Sequence, residues 1–418
     1  MTRPSTQPKG LPAYIAITAA YWAFMLTDGA LRMLVLLHFH TLGFTPVQLA
    51  YLFVLYEIAG MITNLCAGWI AARFGLTSTL FAGLGLQIVA LLALAQLDPA
   101  WAVGLSVLYV MILQGASGVA KDLAKMSSKS AVKILAPNKD AGLFRWVALL
   151  TGSKNAVKGI GFLLGAGLLA VLGFVPAIYC MTALLSLFLL ALSIAMPAGL
   201  PTGRKSAKFS DVFSTSSNIN WLSCARVFLF GARDVWFVVG IPIYFYAVLS
   251  DGSITGNRTA FFMIGCFMAV WIILYGFVQA TAPKILGASK RSEFEIIQSA
   301  KIWAWRLTAI LTCLTLAAFF SSGPQPWLTG ILVTGLLVFG AAFAINSALH
   351  SYLILAFSKA ERVTMDIGFY YMANAFGRLL GTILSGLTYQ LGGLALMLAT
   401  ATAMVSISAL SSGFLRKA

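Results

Sequence analysis

The sequence predicts an all-α membrane protein of twelve transmembrane helices, arranged as two pseudo-symmetric bundles of six. Three observations predict it. The first is composition: of 418 residues, 60% are hydrophobic and 10% are charged, whereas a soluble domain holds roughly a quarter of its residues as Asp, Glu, Lys and Arg. With a mean hydropathy of +0.90, there is too little polar surface to cover a globule in water, and lipid is the solvent the composition fits. The second is length: apolar runs of about 20 residues, enough for a helix to cross a bilayer, recur between Gly, Pro and charged punctuation. The third is a long polar connection midway, PAGLPTGRKSAKFSDVFSTSSN at 197–218.

Taken in order, the punctuation places spans at 12–39, 46–72, 75–97, 101–124, 142–172 and 175–196, then at 219–249, 258–282, 299–320, 327–356, 363–389 and 392–414. The opening MTRPSTQPKGLPAY is short and basic. The apolar stretch behind it is too long for a signal-peptide core and ends in no small-residue cleavage site, so it reads as a retained first span. Two six-helix units, 1–196 and 219–418, then flank a linker at 197–218.

The surplus of basic residues follows the loops. Lys and Arg outside the spans fall on the side of the N-terminus, with Arg258 the exception. The positive-inside rule puts that side, and both chain ends, in the cytoplasm. This distribution accounts for most of the net charge of +16 without nucleic acid as a partner. The halves also echo each other, as parallel repeats do. Asp28 precedes His38-Phe39-His40 by the interval at which Asp234 precedes Tyr244-Phe245-Tyr246, and Asn155-Ala156 with Gly167 matches Asn374-Ala375 with Gly386.

Setting aside Arg145 and Arg258 at span edges, nine basic residues lie within predicted spans: Arg32, Lys121, Lys154, Lys158, Arg226, Arg233, Lys301, Arg306 and Arg378. A charge at a helix centre costs about 2.5–3.5 kcal/mol on insertion scales. Lys121, Lys301 and Arg306 lie near span ends and can snorkel; the mid-span Arg32, Lys154, Lys158, Arg233 and Arg378 cannot. Asp28, Glu57 and Asp234 are the carboxylates at similar depth. Asp28, one turn before Arg32, is placed for a same-helix pair. Three acids against five mid-depth cations leave about two positive charges unmatched. A structural salt-bridge network is one explanation; a wet cavity receiving a guest of the opposite sign is the other. Arg offers a planar fork to oxyanions and Lys a compact charge, so the guest predicted is a small, multiply charged oxyanion.

The candidate binding residues are therefore Arg32, Lys121, Lys154, Lys158, Arg226, Arg233, Asn374, Arg378, Asn346 and His350. Lys125 and Lys129, following Lys121 along one helix face, read as a cytoplasmic funnel, with Asp122 placed to tether one of them. Asp28, Glu57 and Asp234 serve charge pairing or energy coupling. Gly115, Gly118, Gly159, Gly161, Gly165 and Gly167 read as close helix packing, with helix flexing as the alternative. His38 and His40 read as interfacial. The cysteines Cys66, Cys180, Cys224, Cys266 and Cys313 sit singly on separate spans and match neither a metal site nor a disulfide framework. No cofactor is expected. No nucleotide-binding loop is present, nor paired carboxylates or a nucleophile constellation in the loops, so an enzyme is not the expected class.

The architecture resembles the major facilitator superfamily. That family's signature between spans two and three survives in part: Gly68-Trp69-Ile70-Ala71-Ala72-Arg73-Phe74-Gly75 keeps the glycines and the arginine but has Ala72 in place of the acid. The strings LTDGALRMLVLLHFH (26–40), GVAKDLAKMSSKSAVK (118–133) and LTGSKNAVKG (150–159) further resemble ArsJ, the bacterial family of organoarsenical efflux permeases. This resemblance implies a protein of the bacterial inner membrane that exports 1-arseno-3-phosphoglycerate, an ester made by a glyceraldehyde-3-phosphate dehydrogenase-type enzyme. The alternatives are a general organophosphate or organic-anion carrier and, in a different class, an anion channel or membrane sensor.

Overall fold

A computed structural model describes the backbone of residues 10–74, 76–135, 141–195, 216–287, 292–321, 323–358 and 363–416; side chains at 10–14, 67–77, 129–152, 195 and 363–365 lie outside the described set. Most of the predicted linker 197–218 and part of the Gly68–Gly75 signature therefore lie outside it as well. Every regular element among the described residues is helical. The first half holds α1 (Gly10–Thr41), α2 (Pro46–Tyr51 continuing as Val54–Phe74), α3 (Leu76–Leu94), α4 (Val103–Leu135), α5 (Ala141–Leu172) and α6 (Phe174–Ala195). The second holds α7 (Ser217–Val235, Trp236–Gly240 and Ile241–Leu249), α8 (Ile254–Ile285), α9 (Glu293–Phe319), α10 (Pro326–Phe357) and the stretch Val363–Gly413.

That last stretch is two helices. At Gly393 φ is 59°, in the left-handed region that glycine enters cheaply, and the chain turns there between α11 (363–391) and α12 (394–413). Ten segments are long and apolar enough to cross a bilayer. Adding the shorter Ser78–Leu94 and dividing the last segment makes twelve crossings among the described residues, in the predicted order.

Local chemistry sets the boundaries. Thr45 opens α2 with a capping box: its hydroxyl accepts from the Gln48 N–H (3.3 Å) and its own N–H donates to the Gln48 side chain (2.9 Å). Pro46 follows, where a missing N–H leaves nothing unpaired. Ser292 and Glu295 cap α9 in the same way. In the α7–α8 turn the Ser253 hydroxyl and N–H hydrogen-bond to Asp251 and hold its carboxyl below the usual range.

Glycine draws the key helix pairs together. A Cβ on Gly161 would strike the Leu26 carbonyl, and one on Gly165 the Ala30 carbonyl, so the α1 and α5 backbones touch. Gly377 and Gly381 stand in the same relation to the carbonyls of Val227 and Gly231 between α11 and α7. This is the small-residue interface of membrane bundles. Gly115, Gly118, Gly159 and Gly167 also abut neighbouring helices, at Leu55, Tyr56, Ala269 and Phe262, in keeping with the packing reading.

The same contacts correct the register of the internal repeat. Leu26 and Ala30 take the places of Val227 and Gly231, so Arg32 answers Arg233, and Asp28 answers Leu229 rather than Asp234. Short sequence echoes allow several offsets, and backbone contact selects one.

Between the halves, Gly159 and Gly265 bring α5 against α8, and Gly386 brings α11 against Pro46 at the start of α2. The end of the bundle carrying the α1–α2 turn is closed by further contacts across the halves. The His40 ring packs edge-on to Tyr246 at 4.7 Å, and the Val47 N–H donates to the Gln390 side chain at 3.2 Å. His38 stacks on Phe174 at 4.0 Å.

Within α7, Trp236–Gly240 is a π-helical turn. Pro242, just beyond it, has no N–H to give the helix ladder. The Ser385 hydroxyl of α11 accepts from the N–H groups of both Val239 and Gly240, each at 3.2 Å, and so pins the widened turn.

Candidate functional site

The deep charges converge where the halves meet. Arg32 on α1 donates from Nη2 to Glu57 Oε1 of α2 at 2.7 Å. The same oxygen accepts from Arg378 Nη2 of α11 at 2.6 Å. Arg378 Nε reaches Asp234 Oδ2 of α7 at 3.1 Å, and Asp234 Oδ1 accepts from Arg233 Nε at 2.6 Å. The result is a chain of alternating sign, Arg32–Glu57–Arg378–Asp234–Arg233, which crosses between the halves at the Glu57–Arg378 bond. Glu57 and Asp234 are buried at 1% and 0% exposure.

A second group adjoins this chain. Lys158 on α5 donates to Asp28 Oδ2 at 2.7 Å, and the Tyr56 hydroxyl donates to Asp28 Oδ1 at 2.6 Å. Tyr56 precedes Glu57 on α2 and couples the two groups. Its ring lies 5.2 Å from the Arg32 guanidinium carbon and 4.0 Å from Lys121 Nζ.

These distances correct two expectations. Asp28 does not pair with Arg32 along α1. The close α1–α5 approach, where Gly29 sits against the Lys158 carbonyl, delivers Asp28 to Lys158 and leaves Arg32 to Glu57. Nor are the mid-depth cations bare: Arg32, Lys158, Arg233 and Arg378 each touch a carboxylate. They achieve this by sharing, four cations among Asp28, Glu57 and Asp234. A surplus persists, smaller at this junction than the sequence suggested. Lys121 and Arg226 add to it, since neither has a carboxylate within salt-bridge distance among the described residues.

Other predicted residues take other roles. Lys125 is half-buried and tied down, donating to Asn64 Oδ1 at 2.7 Å and to Asp122 Oδ1 at 3.3 Å; Asp122 also accepts from Thr63 at 2.5 Å. The contact with Asp122 is the tether that the sequence allowed for one of these lysines. The Lys129 side chain lies outside the described set. Lys121 lies over Tyr56 instead of snorkelling to a span end. Lys154 is half-buried one turn before Lys158. Arg306 is exposed over Trp303 at 4.6 Å, as an interfacial residue should be.

Arg226, two helical turns before Arg233, stands apart from the chain. Its Nε donates to Asn374 Oδ1 at 2.9 Å and its Nη1 to Ser347 Oγ of α10 at 3.0 Å. Asn346 and His350 are both at 0% exposure, with no hydrogen-bond partner among the described residues. A cavity of about 370 Å³ between α2, α7 and α11 is apolar, lined by Met61, Ser223, Cys224, Val227, Phe369 and Phe376 among others. It holds none of the predicted site residues. The cysteines are free.

Several participants escaped the sequence reading: Tyr56, Thr63, Asn64, Tyr275, Gln279, Ser347 and Ser385. Gln279 and Asn64 carried a usable signal, because an amide within an apolar span needs a partner. Hydroxyls carried none, since Ser and Thr satisfy themselves within a helix by bonding back to the preceding turn.

No family model matches the chain, and no curated relative matches it. Among solved structures, the nucleoside transporter NupG superposes with a TM-score of 0.68 at 17% identity, over 96% of this chain and 98% of that one. A POT family transporter in complex with 5-aminolevulinic acid gives 0.71 at 15% identity, over 98% and 96%. A structure from work on proton-dependent oligopeptide transporters gives 0.69 at 12% identity, over 96% of each chain. The chain therefore has the fold of these transporters.

Proposed function

We propose that this protein is a secondary transporter that carries a small, multiply charged anion between its two halves by alternating access. The observation supporting this reading is the sharing of three carboxylates among four cations at the junction of the halves. Glu57 holds the place of an anion between Arg32 and Arg378. A phosphate-like head offers more oxygens in a geometry that suits both guanidinium forks, so it can displace Glu57 and free the halves to move. The neighbours in fold are named as transporters of nucleosides and oligopeptides, or as holding 5-aminolevulinic acid, all small solutes.

For the substrate itself, the strings at 26–40, 118–133 and 150–159 support the ArsJ-type reading: 1-arseno-3-phosphoglycerate, exported across a bacterial inner membrane, with both chain ends cytoplasmic. The partner is then the dehydrogenase-type enzyme that makes the ester. Arg378 and Lys158 would receive one of its oxyanion heads. In the empty state, Asp28, Glu57 and Asp234 act as internal counter-ions.

The test uses inside-out vesicles, with the ester generated in place by the dehydrogenase from arsenate, glyceraldehyde 3-phosphate and NAD+, which takes up the hydride. Saturable uptake that shows counterflow supports a carrier. Uptake without saturation would indicate a channel, and failure to move this ester, 3-phosphoglycerate or glycerol 3-phosphate would end the proposal. Equal rates for all three would favour a general organophosphate carrier. Repeating the assay with an imposed pH gradient reports whether protons are coupled.

A further inference from the structure

We infer that Arg226 is the centre of a second oxyanion seat inside the C-terminal half, enclosed by α7, α8, α10 and α11 and separate from the ion-pair chain. The inference rests on the anion-transport reading and deepens it by assigning the ligand's second charged head.

Arg226 is 4% exposed and has no carboxylate within salt-bridge distance among the described residues. Its hydrogen-bond partners are neutral: the Asn374 amide oxygen at 2.9 Å, the Ser347 hydroxyl at 3.0 Å and the Ser347 carbonyl at 3.5 Å. These occupy Nε and Nη1, and Nη2 makes no hydrogen bond among the described residues. The guanidinium lies 3.9 Å over the Phe230 ring and 5.0 Å from that of Tyr370. A desolvated cation–π contact is worth about 2 kcal/mol, whereas the penalty for burying an ion is several kcal/mol. Aromatic rings hold this arginine in position without neutralising it.

The neighbouring polar groups are also incomplete. The Ser347 hydroxyl accepts from Arg226 and lies 3.4 Å from both Gln279 Nε2 and the Tyr275 hydroxyl. Asn346 and His350, four apart on α10 and so on one face, are at 0% exposure with both polar side-chain atoms unpartnered among the described residues. His350 is within electrostatic reach of Arg226. Each unmade buried hydrogen bond costs about 1–3 kcal/mol. Native interiors rarely leave such groups open beside an unneutralised guanidinium. A phosphate, arsenate or carboxylate head completes them together: it neutralises Arg226 and accepts from Nη2, the Asn346 amide and a ring N–H of His350. Seven residues at about 1.5 Å rise place Arg226 roughly 10 Å along α7 from Arg233. A ligand with an oxyanion at each end of a short carbon chain spans that interval, one head at the seat and the other on the Arg378 chain.

The test measures equilibrium binding to purified full-length protein, with 3-phosphoglycerate as a two-headed probe and glycerol 3-phosphate as a one-headed probe. Wild type should prefer the two-headed probe by about tenfold or more, the equivalent of one charged hydrogen-bonded contact. Arg226→Gln should abolish that preference and leave glycerol 3-phosphate binding nearly unchanged. His350→Ala and Asn346→Ala should reduce it in part. Without ligand, Arg226→Gln should melt no lower than wild type, because it removes an unneutralised charge. If Arg226→Gln does not fold, Arg226→Lys carries the test, since it keeps the charge, loses the fork and should lose the preference. A variant retaining the full preference, or a wild type binding both probes equally, overturns the seat alone. A wild type that binds neither probe defeats the transport reading and the seat together.

Discussion

At the scale of single residues, Glu57 and Arg378 carry the most consequence. Glu57 Oε1 accepts from both Arg32 and Arg378, so Glu57→Gln strands Arg32 and leaves Arg378 with Asp234 only. Removing one partner of a buried pair destabilises by about 3–5 kcal/mol, and thermal unfolding in detergent should show that loss. Because an added anion can take the vacant place, 3-phosphoglycerate should raise the melting temperature of Glu57→Gln more than that of wild type. Arg378→Gln should behave in the opposite way. It leaves Arg32–Glu57 and Arg233–Asp234 as complete pairs, so the protein should stay folded in the membrane while transport is abolished; unimpaired uptake would remove Arg378 from the site. The charged residues themselves were legible, since an ionisable group in an apolar span stands out in any sequence. Their partners were not: Asp28 is closer along the chain to Arg32, yet it pairs with Lys158, 130 positions away.

At the scale of elements, two devices hold the helices around the site. The first is the glycine contact between α1 and α5 and its repeat between α7 and α11. Gly165→Leu and Gly377→Leu would drive a side chain into the Ala30 and Val227 carbonyls. Overpacking costs about 1–3 kcal/mol where neighbours can shift and more against backbone, so both variants should lose folded yield in size-exclusion profiles. Gly330→Leu is the control, with open space around its Cβ. The second device is the π-helical turn Trp236–Gly240. Ser385→Ala removes the hydroxyl that accepts from the N–H groups of Val239 and Gly240, at about 0.5–1.5 kcal/mol for each hydrogen bond lost. Its melting temperature should fall, and that of Ser385→Thr, which keeps the hydroxyl, should fall less. Gly161 and Gly165 were legible in sequence as packing residues, whereas Gly377 and Gly381 emerged from the helix contacts alone. The widened turn was not legible, because it depends on a hydroxyl from α11 meeting α7.

At the scale of the whole molecule, the end carrying the α1–α2 turn is closed between the halves by His40–Tyr246, Val47–Gln390 and Gly386–Pro46. If alternating access operates, these contacts must part. With the native cysteines replaced, Val47→Cys combined with Gln390→Cys should stop transport when bridged by a short bifunctional thiol reagent and recover it on reduction. Continued transport through the cross-linked protein would mean that this end does not open. The twelve crossings were legible because each span is a local property, a run of apolar residues long enough for the bilayer. The internal repeat was legible in kind and misplaced in register, since short echoes cannot distinguish one offset from another.

Hydropathy, the glycine spacing and the depth of Arg32, Lys158, Arg233 and Arg378 follow from the order of residues alone, because the cost of placing a group in lipid depends on its own chemistry and its distance from a span end. Which charges meet was decided by the tertiary structure. A hydrogen-bonded ion pair needs its atoms within about 3 Å, and that separation is set by how closely glycine lets one helix backbone approach another. The same dependence separates Arg226 from Arg233: on one helix face by sequence, one lies among neutral groups and the other in an ion-pair chain, because different helices close over them.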